Sequence, residues 1–461
     1  MRTQTIQNPW DGSDVGTVSL ASKEDAARAS ERALEAFRIT RRTAAYERID
    51  LLTKVALGLE SRRAELVSTI VAEAGKPRRF ATAEVSRAIA TFRAAAAEVS
   101  RNRGEVVTLD LTPESRAYEG RTMQVPMGPM LAICPFNFPL NLVAHKVAPA
   151  LACGASVLVK PAPQTPLTAL LLQEIVNEAG AAKDALQVVP CGNDVAESLV
   201  SSDAFRILSF TGSAKVGWEL KAKSGKKKVL LELGGNAACV VHEDARDLDD
   251  VVARLIPSAF GYAGQVCIKT QRLYLHRPIA DRLIENLRRA VSALRVSDPA
   301  DDATVLGPVI DERSAARIES WVDEAVAAGH TKLVGGGRSG NRMEATLLQM
   351  RGEGRGLAVV DEEIFGPVLT LHTYETWEDA LTMVNEGKYG LQAGVFTDSD
   401  TRIRRAFDEL DVGGLVVNDV PTVRIDAMPY GGVKDSGLGR EGVRYAMSDF
   451  TEPKVLVTRR D

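Results

Sequence analysis

No stretch of this chain carries the ~18 consecutive apolar residues that a membrane-spanning helix needs, and the opening Met1-Arg2-Thr3-Gln4-Thr5 lacks the apolar core of a secretory leader. Cysteine is scarce, with five in 461 residues. Positions 134, 153, 191, 239 and 267 form no C-x-x-C pair, so neither a disulfide framework nor a cysteine-based zinc site is indicated. The five histidines fall in no H-E-x-x-H spacing, and no catalytic metal is expected. Neither sign of charge dominates: 57 basic residues stand against 61 acidic ones, for a net charge of −4. That balance argues against a nucleic-acid or anionic-membrane surface. Lys226-Lys227-Lys228 is a local exception that reads as a solvated helix end or loop. Internal repeats and low-complexity segments are also missing. These absences leave an ordinary globular protein, expected in the cytoplasm with reduced thiols.

Such a length exceeds one core and calls for two or three domains. Residues 21 to 101 read as helices, with Leu51, Leu52, Val55, Leu59, Leu66 and Ile70 near helical spacing. At Gly104 the pattern changes to a strand-like arm from Val106 to about Val125, broken by the turn cluster Thr112-Pro113-Glu114-Ser115. Too thin to fold alone, the arm needs another segment or subunit to pair with. From 131 to 232 short apolar strands alternate with helix-length segments: Leu131–Cys134, Ser156–Lys160, Gln187–Pro190, Arg206–Phe210 and Lys228–Glu232. That alternation predicts a parallel sheet, whose ligands gather at the carboxyl ends of its strands. A second α/β pattern runs from about 233 to 425, with strands at Ala238–Val241, Leu273–His276 and Leu415–Asn418, and Pro453–Thr458 forms a last strand.

The chemistry-bearing residues fall at those strand ends. Cys267, in Gly264-Gln265-Val266-Cys267, is a soft nucleophile, and Glu232, in Glu232-Leu233-Gly234-Gly235-Asn236, is a carboxylate able to serve as base. A thiolate adds to a carbonyl carbon, and a carboxylate activates the water that later cleaves a thioester. Asn137 precedes a helix taken to open at Pro139, where its amide N–H can meet a developing oxyanion beside the Cys267 backbone N–H. Phe210-Thr211-Gly212-Ser213 has the order strand, glycine turn, helix start that receives a phosphate, although it is no G-x-G-x-x-G match. Each residue taken alone also has a structural explanation: a core thiol, a cap, a surface lysine at Lys160.

Taken in order along the chain, these segments resemble the aldehyde dehydrogenase superfamily. The resemblance runs from Asn8-Pro9-Trp10 to Pro429-Tyr430-Gly431-Gly432-Val433-Lys434-Asp435-Ser436-Gly437. It passes through Val159-Lys160-Pro161-Ala162, the Glu232 and Cys267 segments, and Glu362-Glu363-Ile364-Phe365-Gly366-Pro367. It implies a Rossmann-like parallel-sheet cofactor domain (1–105 and 126–232), a second α/β catalytic domain (233–425) and a small β oligomerisation lobe (106–125 and 446–461). Residues 426–445 then return along the cofactor domain. It further implies a homodimer or homotetramer.

The resemblance also assigns roles. Cys267 attacks an aldehyde, Asn137 holds the oxyanion and Glu232 activates water. Lys160 contacts the adenosine ribose, Gly212 and Ser213 the pyrophosphate, and Glu363 the nicotinamide ribose. Phe365 packs on that half of the cofactor, and Phe136 and Leu233 complete the cofactor residues. Where NAD-specific members often carry a glutamate, this chain has Pro163, which neither accepts from a 2′-hydroxyl nor repels a 2′-phosphate. NADP or NAD is therefore expected, with a lean to NADP or dual use. Asn141 and His145, four apart on one helix face, would line the substrate site and favour a small hydroxylated or anionic aldehyde. Arg424 would clamp an anionic group, or pair with Asp426 and stiffen its loop. The Asn137 and Tyr430 segments look most like a branch that includes lactaldehyde-type dehydrogenases. Two alternatives stay open: a coenzyme-A-acylating semialdehyde dehydrogenase, and a non-catalytic structural protein on the same fold. A non-phosphorylating glyceraldehyde-3-phosphate dehydrogenase ranks lower, because Val266 stands where those enzymes tend to have arginine.

Overall fold

The computed structural model describes residues 2–101 and 104–460, so positions 1, 102, 103 and 461 of the expected segments lie outside the described residues. Four helices, Lys23–Thr40, Ala45–Ser61, Arg63–Ala74 and Arg78–Val99, occupy the region read as helical. The first is set by a reciprocal cap between Ser22 and Asp25, and it buries Ala26, Ala29, Ala33 and Ala36 as one stripe.

The helices pack around a six-stranded sheet. Its strand order is Gly437–Leu438, Lys228–Glu232, Ile207–Thr211, Met130–Ile133, Val157–Lys160, Leu186–Val188. All neighbours are parallel except the first pair. In that register Lys160 lies opposite Ile133, and Glu232 opposite Thr211. Both therefore stand at carboxyl ends.

A second sheet has seven strands: Thr331–Val334, Thr346–Gln349, Val368–Tyr374, Arg272–His276, Ala238–Val241, Gln392–Phe396 and Gly414–Val417. Only its first edge strand is antiparallel. Residues 233–237 carry the chain from the end of Lys228–Glu232 to the start of Ala238–Val241, so the carboxyl end of one sheet meets the amino end of the other. Cys267 sits at that junction, five residues ahead of Arg272.

A third sheet joins Thr451–Arg459 to Tyr118–Pro126 across nine paired positions, with Val106–Val107 beyond. Among the described residues one edge of Thr451–Arg459 has no partner strand, and Val455, Leu456 and Val457 are about half exposed. No helix among the described residues is long and apolar enough to cross a membrane.

The expected helix start at Pro139 is corrected. The helix runs Asn141–Cys153, and Pro139 lies in the turn before it. Its first amides are capped from outside: Glu84 Oε1 accepts from the N–H groups of Leu140 (2.9 Å) and Asn141 (3.0 Å). Glu84 is itself held by buried Lys76 at 2.5 Å. A cap delivered by another helix leaves no local signature.

Candidate active site

Cys267 is half-buried, the one cysteine of the five not fully buried. The turn leading to it is strained, with Tyr262 (φ 52°), Ala263 (φ 52°) and Gly264 (φ 68°) in succession in the left-handed region. Strain of this kind persists only where surroundings enforce it. Here Tyr262 donates its hydroxyl to Ala74 O at 3.1 Å, and the Gln265 amide bridges Tyr262 O, Pro308 O and the Ile310 N–H. A Cβ on Gly264 would come within 2.3 Å of the Gly366 carbonyl oxygen, so glycine is required there.

Asn137 is buried and donates one amide N–H to Gln265 O at 2.9 Å, two residues before the thiol. A carboxamide carries two N–H groups, and this bond uses one. The side chain is thus tied to the nucleophile's own loop.

Tyr430 places its hydroxyl 3.1 Å from Cys267 Sγ. Burial pushes the Cys267 thiol up to about 12; the Tyr430 hydrogen bond opposes the rise, and the Glu363 and Glu232 charges add to it. In this environment the sulfur rests as a thiol and needs a base to become a nucleophile. Burial likewise raises Tyr430 well above its ordinary value, so the phenol keeps its proton and can donate to sulfur.

Glu232 is buried with Oε2 unpartnered. Burial and the neighbouring charge of Glu441 raise its carboxyl well above the usual range. Glu441, although burial opposes its ionisation, is held well below that range by Lys146 and Arg424. Their contacts are Lys146 Nζ to Oε1 at 3.2 Å and Arg424 Nη2 to Oε2 at 2.7 Å. Of the two carboxylates, Glu441 therefore carries the charge. Glu232 keeps its proton longer and is the stronger base once it is lost.

The residues expected to bind a cofactor have these surroundings. Lys160 is buried at its strand end, and desolvation lowers its ammonium. A Cβ on Gly212, in the turn before the helix Ala214–Lys223, would stand 2.6 Å from the tip of the Phe210 ring, and one on Gly217, inside that helix, 2.3 Å from a Leu233 methyl, so both glycines let these side chains pack close. Ser213 is that helix's exposed N-cap, and its side chain makes no capping bond. Glu363 accepts the Gly235 N–H at 3.1 Å, and burial raises it to about 7. Phe365 is held at φ 48°, and its ring meets Phe136 edge to face at 5.8 Å. A glycine turn at a helix start, with a lysine at a strand end and a glutamate in the loop before Val368–Tyr374, suits a dinucleotide. Pro163 is exposed, with its carbonyl accepting from Gln4 Nε2 at 2.9 Å.

On the substrate side, one expected pairing is corrected. Arg424 does not pair with Asp426. Its partner is Glu441, and its guanidinium lies 3.7 Å from the Tyr430 ring centre. Asp426 is instead taken by Arg87, which donates from Nε (3.1 Å) and Nη2 (2.7 Å), and by His145 Nε2 at 2.8 Å. Asn141 faces Asp426 and Thr91, each at 3.5 Å. Asn141 and His145 are buried, and polar atoms of their side chains meet this loop and Thr91. The carboxylate that His145 meets is 281 residues away in the chain, which helix spacing cannot reveal. Tyr430, Lys146, Glu441 and Arg87 were missed as site residues. Of these only Tyr430 carried a signal, as a member of the Pro429–Gly437 motif.

A half-buried thiol whose protonation burial favours and a buried carboxylate raised above its usual range lie in the same chain as a glycine turn at a helix start, a set of groups compatible with dinucleotide-dependent redox chemistry. The comparisons give the family. The aldehyde dehydrogenase family model matches residues 2–456. The chain is 40% identical over 453 residues to 3-sulfolactaldehyde dehydrogenase of Priestia aryabhattai, covering 98% of this chain and 94% of that one. Among solved structures it superposes at TM-score 0.97 on aldehyde dehydrogenase 21 from Physcomitrella patens in complex with the product succinate (41% identity, 99% and 95% coverage). It superposes at 0.94 on glyceraldehyde-3-phosphate dehydrogenase GapN from Methanocaldococcus jannaschii with NADP (33% identity, 99% of both chains). The chain belongs to the aldehyde dehydrogenase family, and it is an NAD(P)-dependent oxidoreductase acting on aldehydes.

Proposed function

We propose that the protein oxidises a small anionic aldehyde to its acid, with Cys267 as nucleophile, Asn137 as oxyanion donor and Glu232 as base. Glu232 takes the thiol proton as sulfur adds to the carbonyl carbon. The Asn137 amide and the Cys267 backbone N–H hold the oxygen that becomes negative. When bound, the nicotinamide ring of the cofactor accepts a hydride. The remaining thioester on Cys267 is cleaved by water, which Glu232 deprotonates. Lys160, Gly212, Ser213, Glu363 and Phe365 would hold the dinucleotide, with Phe136 and Leu233 behind them.

The observation that carries the substrate class is the stack of Arg424 on Tyr430, whose hydroxyl touches Cys267. It sets a buried cation one ring away from the reacting sulfur. A short aldehyde bound to that sulfur would bring a carboxylate or sulfonate at its other end towards the guanidinium. Relatives named for sulfolactaldehyde and sulfoacetaldehyde, and the structure holding succinate, are in keeping with this. Arg424→Met keeps the length and removes the charge. Hydrogen bonds to charged groups contribute about 1.5–3 kcal/mol, hence roughly a 10- to 150-fold loss of kcat/KM on anionic aldehydes. A neutral aldehyde of equal length should be far less affected, so the ratio separates substrate binding from damage to Glu441's surroundings. Equal losses on both, or a wild-type preference for the neutral aldehyde, would remove the anionic class.

For the cofactor, Pro163→Glu would place an acceptor for the 2′-hydroxyl and a charge beside any 2′-phosphate. NADP binding should weaken several-fold relative to NAD, read as dissociation constants of both cofactors on both proteins. An unchanged ratio in a folded variant would show that discrimination lies elsewhere.

The unpaired edge of Thr451–Arg459, with Val455, Leu456 and Val457 exposed, supports assembly of copies into a homodimer or homotetramer through the small sheet. Light scattering giving a monomer at micromolar concentration would refute it.

A further inference from the structure

His242 and His276 stand at the other end of the second sheet from Cys267. His242 follows the strand Ala238–Val241, and His276 ends Arg272–His276. These strands are parallel, so both histidines lie at carboxyl ends, about 17 Å along a five-residue strand from the end that faces the thiol. The strand Ala238–Val241 leads to its neighbour on one side, whereas Gln392–Phe396 leads to Gly414–Val417 on the other. The winding reverses between Ala238–Val241 and Gln392–Phe396, so His242 borders that point and His276 lies one strand away from it.

We propose that His242, Glu243 and His276 form a binding site for a divalent zinc-like ion, separate from the active site. One ligand atom from each lies within 4.8 Å of the others. The hydrogen bonding around the rings has the form of a second coordination shell. His276 Nε2 is 3.1 Å from Glu375 O, and because a carbonyl can only accept, Nε2 carries the proton and Nδ1 keeps its lone pair in the neutral ring. That Nδ1 is buried without a hydrogen-bond partner, and the nearest carboxylate oxygen, Glu243 Oε2, is 3.9 Å away. This is too long for a hydrogen bond, but within half an ångström of the ~3.4 Å that separates two ligands of a tetrahedral ion with bonds of about 2.1 Å.

His242 Nδ1 is 2.9 Å from Asp244 Oδ1, which leaves Nε2 as its free lone pair. Asp244 is fixed in turn by Thr397 Oγ1 and Arg402 Nη1, each at 3.0 Å, so Asp244 offsets the charge of Arg402 beside the site. Arg277, the other nearby cation, is paired with Glu375 at 2.8 Å.

Two imidazoles and one carboxylate suit zinc or cobalt, whereas magnesium and calcium prefer oxygen ligands alone. Three protein ligands leave a fourth position for water. The two rings are now stacked, centroids 4.2 Å apart and planes 16° from parallel. Lone pairs in parallel planes cannot converge on one ion, so binding turns one ring out of the stack. The ion would tie the loop after Ala238–Val241 to the start of the helix Arg277–Ser292, with no group in reach of the reacting sulfur.

Cobalt(II) absorption and zinc calorimetry on the Cys267→Ser protein test this with the reactive thiol removed. The expected result is one ion per subunit, with visible bands of a nitrogen- and oxygen-ligated centre. Glu243→Ala changes an exposed residue and should abolish the site without unfolding the chain. His276→Gln, which retains an amide donor towards Glu375, should do the same. Asp244→Asn should weaken binding about 10- to 100-fold, the usual effect of losing such a supporting carboxylate. Binding that is undetectable in the Cys267→Ser protein, or unchanged in Glu243→Ala, would overturn the proposal.

Discussion

Replacing Cys267 with alanine should remove aldehyde oxidation altogether, a loss on the order of 10⁴-fold or more, while both nicotinamide cofactors bind as before. Losses of that size follow when a nucleophile that works as a unit with its base is deleted. No other cysteine is placed to substitute. Cys134, Cys153, Cys191 and Cys239 are fully buried. Burial pushes Cys134 and Cys153 up to about 12 and Cys191 to about 11, and raises Cys239 further. Cofactor binding should survive because the dinucleotide contacts proposed above are made by Lys160, the turn at Gly212 and Glu363, not by sulfur. Reduced-nicotinamide absorbance follows turnover, and quenching of protein fluorescence follows binding. Turnover near wild type would mean that the sulfur is not the reacting atom. Loss of cofactor binding together with activity would show that the residue holds the turn at Tyr262–Gly264 in place.

The position of the candidate residues at strand ends was legible in the sequence. Short apolar runs mark the strands of both sheets, and the candidates Lys160, Gly212, Ser213 and Glu232 lie at or just beyond their carboxyl ends, a placement the sequence showed before any contact was known. Asn137 and Cys267 were found as residue types in a family motif, and the fold joins them through Gln265 O. What the sequence could not disclose is the layer supplied by the segment from 424 to 441. Arg424, Asp426, Tyr430 and Glu441 meet residues between 17 and 339 positions away. No periodicity relates such pairs. Arg424 and Asp426, two apart in the chain, looked like natural partners. In the fold each has a different partner, Arg424 the buried Glu441 and Asp426 the half-buried Arg87 together with His145, because an unpaired ion in the interior costs more than a neighbouring pair on a loop gains. The mistaken helix start at Pro139 has the same origin, since Glu84 reaches the first amides from another helix.

Glu232→Gln should separate the two halves of the reaction. Glutamine nearly preserves shape and hydrogen bonding but cannot take a proton from water, so the acyl group should remain on Cys267. The expected trace is a burst of reduced cofactor approaching one equivalent per active subunit, followed by very slow steady turnover. Because Glu232 also takes the thiol proton, the burst itself should be slower than in the wild type, though it still precedes the far slower hydrolysis; a sulfur raised to about 12 is protonated at neutral pH.

The pH dependence follows from the same environment. Burial and the Glu441 charge raise Glu232, so its basic form is lost as pH falls through that raised value, and hydrolysis by the wild type should climb with pH across it. The variant should lack that limb. A normal steady rate in Glu232→Gln would pass the role to another group, and Glu441, charged and close by, would be the first to examine. Turnover of the wild type that depends on added coenzyme A would point instead to thiol acylation, with Glu232 serving only the attack of Cys267. Unaided hydrolysis by the wild type, lost in the variant while the burst remains, is the result that makes water the acceptor and Glu232 its base.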